Sequence, residues 1–439
     1  MTEDFLHFIW KYKNFDARYL ETIDGKEIKI INSGEYNTHS GPDFLNAQVI
    51  IGGTHWAGNI ELHLKTSDWT AHNHSSDPAY ENVILHVVFD HDTPTAIPEN
   101  RPLLALKHRI HSNTHAKFEI LKKQHNIIPC EPFIKGVNDI IVTGWLDRML
   151  AERLEYKTDY IKKLLHQNKN DWAETAYQLT GRNFGFKVNA EPFEKLTRII
   201  PHKILARHKN NFPQIEAMLF GQAGFLQEVY TDPYPEALRK EYRFLAGKYN
   251  FTPNRKSEWK FLRLRPGNFP TIRISQFAAL IHKSEHLFSK ILEVNDIKKA
   301  ISFFDVKASD YWKTHYTFDT PAASKSSGAL GKDSIYNLLI NTVAPLLFSY
   351  GHIKNEPKYK DVAMNLLENC PKELNTITKS SVNLGFQNKN AYDSQALIHL
   401  RNEHCSKQLC LTCGIGAAIL KTEDSGLTKN NIQLTGFLA

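Results

Sequence analysis

The feature that most restricts the fold is a change of hydrophobic period partway along the chain. Up to about residue 90 apolar residues alternate with polar ones, and from about residue 136 they recur every third or fourth position. Alternation sends neighbouring side chains to opposite faces of a strand, whereas the longer period lines one face of a helix. The expected architecture is therefore an α/β domain with a mostly antiparallel or mixed sheet over residues 1–115, followed by a large, mainly α-helical region over 136–439. A chain of 439 residues also exceeds the size at which one core keeps growing, so two or more domains are expected.

Within the first part, Phe5, Ile9, Phe15 and Leu20 predict a short helix and a turn, and residues 27–31 predict a strand. The run "FLNAQVII" alternates and ends in Gly52-Gly53, a hairpin signal. "WAGNIELHLK" follows, with Ile60, Leu62 and Leu64 on one face and Glu61, His63 and Lys65 on the other. "NVILHVVFD" reads as a more buried strand. In the second part, residues 142–167 predict a long amphipathic helix. Another is expected over 170–181, with Asn170 or Asp171 as N-cap and Gly181 as C-cap. The Ser-, Ala- and Gly-rich stretch 317–334 reads as a soft boundary.

Two carboxylates stand out against this frame. Asp43 follows Pro42, and Glu61 lies 18 residues on, on the far side of the hairpin. Phosphodiesterases hold Mg²⁺ or Mn²⁺ on such acids because a hard cation takes oxygen ligands, and a nearby base or cation acts on the phosphate or the attacking water. His63 and Lys65 are the candidates for that second role, and His63 is also a candidate ligand. The bland alternative is a surface hairpin with a polar face. Next, "DWTAHNHSSDPAYENVILHVV" supplies His72, His74, Asp77 and His86. These could hold Zn²⁺, Mn²⁺ or Fe²⁺ on their own or share a pocket with Asp43 and Glu61. A lone histidine in an apolar run, such as His86, is otherwise a hydrogen-bonded core residue.

Near the C-terminus, "HCSKQLCLTCGIG" spaces Cys405, Cys410 and Cys413 as C-x4-C-x2-C. Five cysteines, an odd number, argue against a disulfide framework. The spacing suits zinc or an iron–sulfur cluster, with Cys130, Cys370, His399 or His404 as the fourth ligand. The alternative is three small residues packing a helical turn.

The formal net charge of +7 is compatible with DNA or RNA as a partner without requiring it. Arg263, Arg265 and Arg273 stand among Trp259, Phe261 and Phe269, a mixture suited to phosphate contact and base stacking. Equally, such arginines can pair with acids or helix carbonyls in a structural loop. No run approaches the roughly 20 apolar residues of a membrane span, and the first residues are acidic where a secretion signal is basic. A cytoplasmic location and no membrane partner are expected. No Walker loop, G-x-G-x-x-G or G-x-S-x-G is present, which disfavours an ATPase, a dinucleotide enzyme or an ordinary serine hydrolase.

The blocks "EDFLHFIW", "SGEYNTHSGPDFLNAQVII", "WAGNIELHLKTSDWTAHNH", "AYENVILHVV" and "HCSKQLCLTCGIG" occur in this order. In them the chain resembles a bacterial family classed as domain-of-unknown-function family 2851. Its first domain also resembles the restriction-endonuclease-like P-D-(D/E)-x-K superfamily. That second resemblance implies a mixed sheet flanked by helices, with Asp43 and Glu61 as Mg²⁺ ligands, His63 where the lysine stands, and Glu3, Glu35 or Gln48 as a further ligand. The expectation is a metal-dependent, nuclease-like phosphodiesterase acting on DNA or RNA. The alternative is a non-catalytic nucleic-acid-binding or scaffold protein on a degraded nuclease fold. A third reading is a metallohydrolase built on His63, His72, His74 and His86, which would need a transition metal.

Overall fold

A computed structural model describes residues 1–93, 101–124 and 126–422. It divides the chain into two compact units. The first comprises Met1–Asp147, Ser380–Phe386 and Leu400–Ala439, and the second Arg148–Lys379 and Gln387–His399. The first unit is thus discontinuous in sequence, and the C-terminal cysteines belong to it rather than to the helical region. The stretch 317–334, expected as a boundary, lies inside the second unit.

In the first unit, helix α1 (Glu3–Lys11) opens with Thr2 as its N-cap and buries Phe5, Leu6, Phe8, Ile9 and Trp10. Strands β1 (Ile28–Asn32), β2 (Glu35–Tyr36), β3 (Phe44–Ile51), β4 (Thr54–Lys65), β5 (Val83–Asp90) and β6 (Leu103–Ala105) follow. They form one sheet in the order β1-β3-β4-β5-β6, with β2 also paired to β3. The sheet is mixed: β3 is antiparallel to β1 and β4, while β4–β5 and β5–β6 are parallel. Gly52 (φ 56°) and Gly53 (φ 81°) make the β3–β4 hairpin in the left-handed region that glycine reaches without strain. Helices α2 (Ser112–Lys123) and α3 (Gly414–Lys421) complete the unit. The rings of Phe5 and Phe118 stack at 4.3 Å, joining α1 to α2.

Two departures from regular pairing place the site. Between Phe44 and Ala47 the β3–β4 register slips by one residue, with Asn46 at φ 56°. This bulge lets the residue ahead of β3 turn toward β4. Secondly, because β4 and β5 are parallel, the chain between them must cross over rather than turn back. Residues 66–82 make that crossover with short helical turns, including Asp68–Ala71. β4 is consequently covered on both faces at its centre: Ile60, Glu61, Leu62 and His63 are all buried.

The second unit is helical, with one small hairpin (His315–Thr317 with Thr320–Pro321). The long helix runs Asp139–Gln167, beginning near its expected start. The next runs Trp172–Phe184 and is N-capped by Asp171, but Gly181 does not end it. A Cβ at Gly181 would sit 2.3 Å from the Thr197 methyl, so that glycine permits close packing on the helix Ala190–Ile199. Among the described residues no helix is long and apolar enough to cross a membrane.

Candidate metal centre on the central strand

Glu61 and His63 alternate with the core residues Ile60 and Leu62, so they leave β4 together on the face that α1 and the crossover cover. Asp43 reaches them from the end of β3 through a reciprocal brace. Its backbone N–H donates to Glu61 Oε2 (3.1 Å), and its Oδ2 accepts from the Leu62 N–H (2.9 Å). The crossover returns His72 and His74 to the same place. His63 Nε2 stands 3.2 Å from His72 Nδ1, 3.3 Å from His74 Nε2 and 3.5 Å from Glu61 Oε1. His74 Nε2 is itself 3.4 Å from Glu61 Oε1. One ligand nitrogen from each of His63, His72 and His74 lies within 4.8 Å of the others.

The other nitrogen of His63, Nδ1, is hydrogen-bonded at 2.9 Å to Nε2 of His86 on β5, whose register sets His86 opposite Glu61. This fixes the ring and aims Nε2 into the cluster, as an outer residue does for a metal-bound imidazole. Trp69 and Tyr80 pack the outside: Tyr80 stacks on His74 at 3.8 Å, and Trp69 meets His63, His74 and His86.

The electrostatics are those of a buried polar group short of counter-charge. Burial, with repulsion from Asp43 added, pushes Glu61 up to about 9. Burial, with His74 and His72 adding to it, pushes His63 down to about 3. His86 falls to about 3, again chiefly through burial and then through His63. His74 is lowered by burial and by His72. Each shift removes charge because nothing nearby compensates it. A neutral imidazole has one donor and one acceptor nitrogen, so the three clustered imidazoles can each turn a lone pair inward, with Glu61 Oε1 3.5 Å and 3.4 Å from two of them. A cation there would relieve all of them, and the donor set fits one.

Sequence reasoning missed His7. On α1, its Nε2 lies 3.2 Å from Asp43 Oδ2 and its Nδ1 3.4 Å from the Tyr36 hydroxyl. Burial would lower its pKa, but the Asp43 hydrogen bond and charge, with Glu3, outweigh burial and raise it. Glu3 sits one helical turn earlier on the same face and is raised mainly by burial. That four-residue spacing was the available signal. Glu35 and Gln48 are exposed on their strands.

Lys65 continues the strand into solvent, where its backbone N–H bonds Asp68 Oδ2 (2.9 Å). Arg263 and Arg265 are exposed in the second unit, Arg263 in a turn at φ 62° and Arg265 just ahead of the short helical turn Pro266–Asn268. Arg273 is buried on the helix Pro270–Ser284, bonded to Gln276, Asn268 and Ser334 and lying over the Phe186 ring. It lines a cavity of about 250 Å³ with Asn189 and Asp333.

Comparison with known proteins returns one family. The family described as "Protein of unknown function (DUF2851)" matches residues 3–376. No curated protein and no solved structure matches the chain.

Proposed function

We propose that this chain, which belongs to the DUF2851 family of proteins of unknown function, is a divalent-metal-dependent, nuclease-like phosphodiesterase acting on DNA or RNA. The observation that carries the reading is the convergence of half-buried Asp43 and exposed His72 with the buried Glu61, His63 and His74 beside β4. Asp43, Glu61, His63, His72 and His74 would hold the ion. Three imidazoles beside carboxylates favour Mn²⁺, Fe²⁺ or Zn²⁺ over Mg²⁺, which prefers an all-oxygen shell. Of the two ions expected from the acid pair, Mn²⁺ is therefore the better match. The bound ion would polarise a phosphoryl oxygen and lower the pKa of water.

The chain's own groups divide the remaining work. The Asp43–Glu61 brace holds both carboxylates in one geometry, and His86 holds the His63 ring. His7, its pKa raised by Asp43, would when protonated on both Nδ1 and Nε2 offer a cationic donor to a phosphate oxygen beside the acids. Lys65, exposed at the strand end, would attract the phosphate from solvent rather than act at the buried centre. Arg263 and Arg265 stay candidates for further phosphate contacts, and a cytoplasmic location accompanies this reading.

The test is cleavage of single-stranded, duplex and branched DNA and of RNA in Mn²⁺, Mg²⁺, Zn²⁺ or EDTA. Cleavage is expected in Mn²⁺ and lost in EDTA, in Asp43→Asn and in Glu61→Gln. Nucleic-acid binding without cleavage under any condition would replace this reading with the non-catalytic binding protein.

A further inference from the structure

The C-terminal cysteine segment returns to the first unit and meets a cysteine far upstream in sequence. Residues Leu400–Cys405 form a wide helical turn, and Cys413 is the N-cap residue of α3. The turn between them is tightly held. The Cys405 carbonyl accepts the Gln408 N–H (3.2 Å), and the Cys413 N–H donates to the Leu409 carbonyl (3.0 Å). A Cβ at Gly416 would lie 2.2 Å from the Cys410 carbonyl oxygen, so the first turn of α3 rests directly on Cys410.

This segment is tied to the region of Cys130. Gln408 Nε2 donates to the Lys122 carbonyl (3.2 Å) near the end of α2. From there the chain runs to Cys130, whose carbonyl accepts from Phe133 N–H (2.9 Å) and Ile134 N–H (3.1 Å). The helical turn Ile134–Gly136 packs against α3. The ring of His404 meets Trp145 edge-on at 5.7 Å.

The four cysteines consequently border one part of the first unit: Cys130 opens the turn that packs on α3, Cys413 caps α3, α3 rests on Cys410, and the Cys405 carbonyl holds the turn leading to Cys410. Burial raises the Cys130 thiol, and Cys405, Cys413 and Cys410 each add to that rise. Cys405, pushed up to about 12, feels Cys413 and Cys410 after burial; Cys410, pushed up to about 11, feels Cys413. None of the four is in a disulfide. The fifth cysteine, Cys370 in the second unit, provides the contrast: after burial its influence is Glu373 and no other cysteine.

We propose that Cys130, Cys405, Cys410 and Cys413 are the four ligands of one thiolate metal centre, zinc or an iron–sulfur cluster, that fastens the C-terminal segment to the first unit. Four thiolates complete a tetrahedral zinc site or the ligation of a cluster. Of the candidates for the fourth ligand, Cys130 is the one whose turn packs against the helix that Cys413 caps, while Cys370 belongs to the second unit. The proposal does not depend on the phosphodiesterase reading.

The full-length protein, purified without air, is tested by elemental analysis and visible and EPR spectra, alone and after reconstitution. About one zinc per chain identifies the first form, and iron with acid-labile sulfide the second. Cys130→Ser should lose as much metal as Cys410→Ser, while Cys370→Ser keeps it. Because a cysteine variant can fail to fold, wild-type protein is also alkylated and mapped by mass spectrometry with and without a chelator. Cys130, Cys405, Cys410 and Cys413 should be protected together and released together. Protein that takes up no zinc, iron or sulfide even on reconstitution would overturn the proposal. So would Cys130 reacting independently of the other three.

Discussion

Glu61 in the first unit and Glu216 in the second are the same residue at the same depth, each almost wholly buried. Their surroundings differ in kind. Glu216 accepts hydrogen bonds from Ser275 Oγ, Ser309 Oγ and the Tyr234 hydroxyl, three neutral donors for one acid. Glu61 receives one backbone N–H and otherwise faces imidazole nitrogens and a second carboxylate. The histidines divide the same way. In the second unit, Gln214 and Tyr249 satisfy the two nitrogens of His208. In the first, Nε2 of His63 has three neighbours competing for it. Burial alone therefore says little about role. A polar group whose partners complete it is part of the core, and one whose partners compete with it is waiting for something else.

Several measurements would break or sharpen this contrast. The largest effect is on cleavage in Mn²⁺. Glu61→Gln should lower kcat at least about a thousandfold, since several kcal/mol of charge stabilisation are at stake. Glu216→Gln should leave kcat per folded molecule unchanged, and a comparable loss there would erase the distinction. Denaturant titration reads the second effect, with the order reversed. Glu216→Ala strands three hydroxyls and should cost about 3 kcal/mol, whereas Glu61→Gln should cost the metal-free protein little.

Adding Mn²⁺ at a hundred times its dissociation constant should stabilise the wild type by about 2.7 kcal/mol. That increment should vanish in Glu61→Gln and persist in Glu216→Gln. His86→Leu, which frees the far side of the His63 ring, should weaken Mn²⁺ affinity by roughly 10- to 100-fold, as read by calorimetry.

A last measurement is the pH dependence of melting in EDTA. Folded Glu61, pushed up to about 9, retains a proton that the unfolded chain releases near 4.5. Stability therefore falls as pH rises between those values. His63 and His86, pushed down to about 3, refuse protons that the unfolded chain takes up below about 6.5, so stability also falls as pH drops from there. Tm should peak at about pH 6.5, where the two histidine slopes and the single glutamate slope cancel. Glu61→Gln should flatten only the alkaline side.

What was legible in the sequence was local. The hairpin at Gly52-Gly53, the alternation that sets Glu61 and His63 on one face, and the Asp171 cap all follow from spacing over a few residues. The pairing of Asp43 with Glu61 was within reach because a hairpin fixes which residues oppose one another. The arrival of His72 and His74 beside His63 was one alternative among several, because it depends on the path of the β4–β5 crossover. His7 was hidden, and Cys130 was only one of four candidates for a fourth ligand, for the same reason: their partners are set by where a helix docks and where a distant segment returns. Gly181 was misread because a glycine that ends a helix and one that admits a neighbouring helix leave the same mark in the sequence.

The discontinuity of the first unit has a consequence in time. α3 closes that unit through bonds from the Asn14 side chain to the Leu420 carbonyl (2.9 Å) and from buried Lys117 to the carbonyls of Ile419 (3.4 Å) and Thr422 (2.9 Å). A ribosome that has finished residue 147 must still synthesise the whole second unit before residue 400 emerges, roughly ten to fifty seconds at ordinary elongation rates. Throughout that interval the nascent chain carries Lys117 and Cys130 without the groups that cover them, so the last helix among the described residues is the one that finishes the first unit begun.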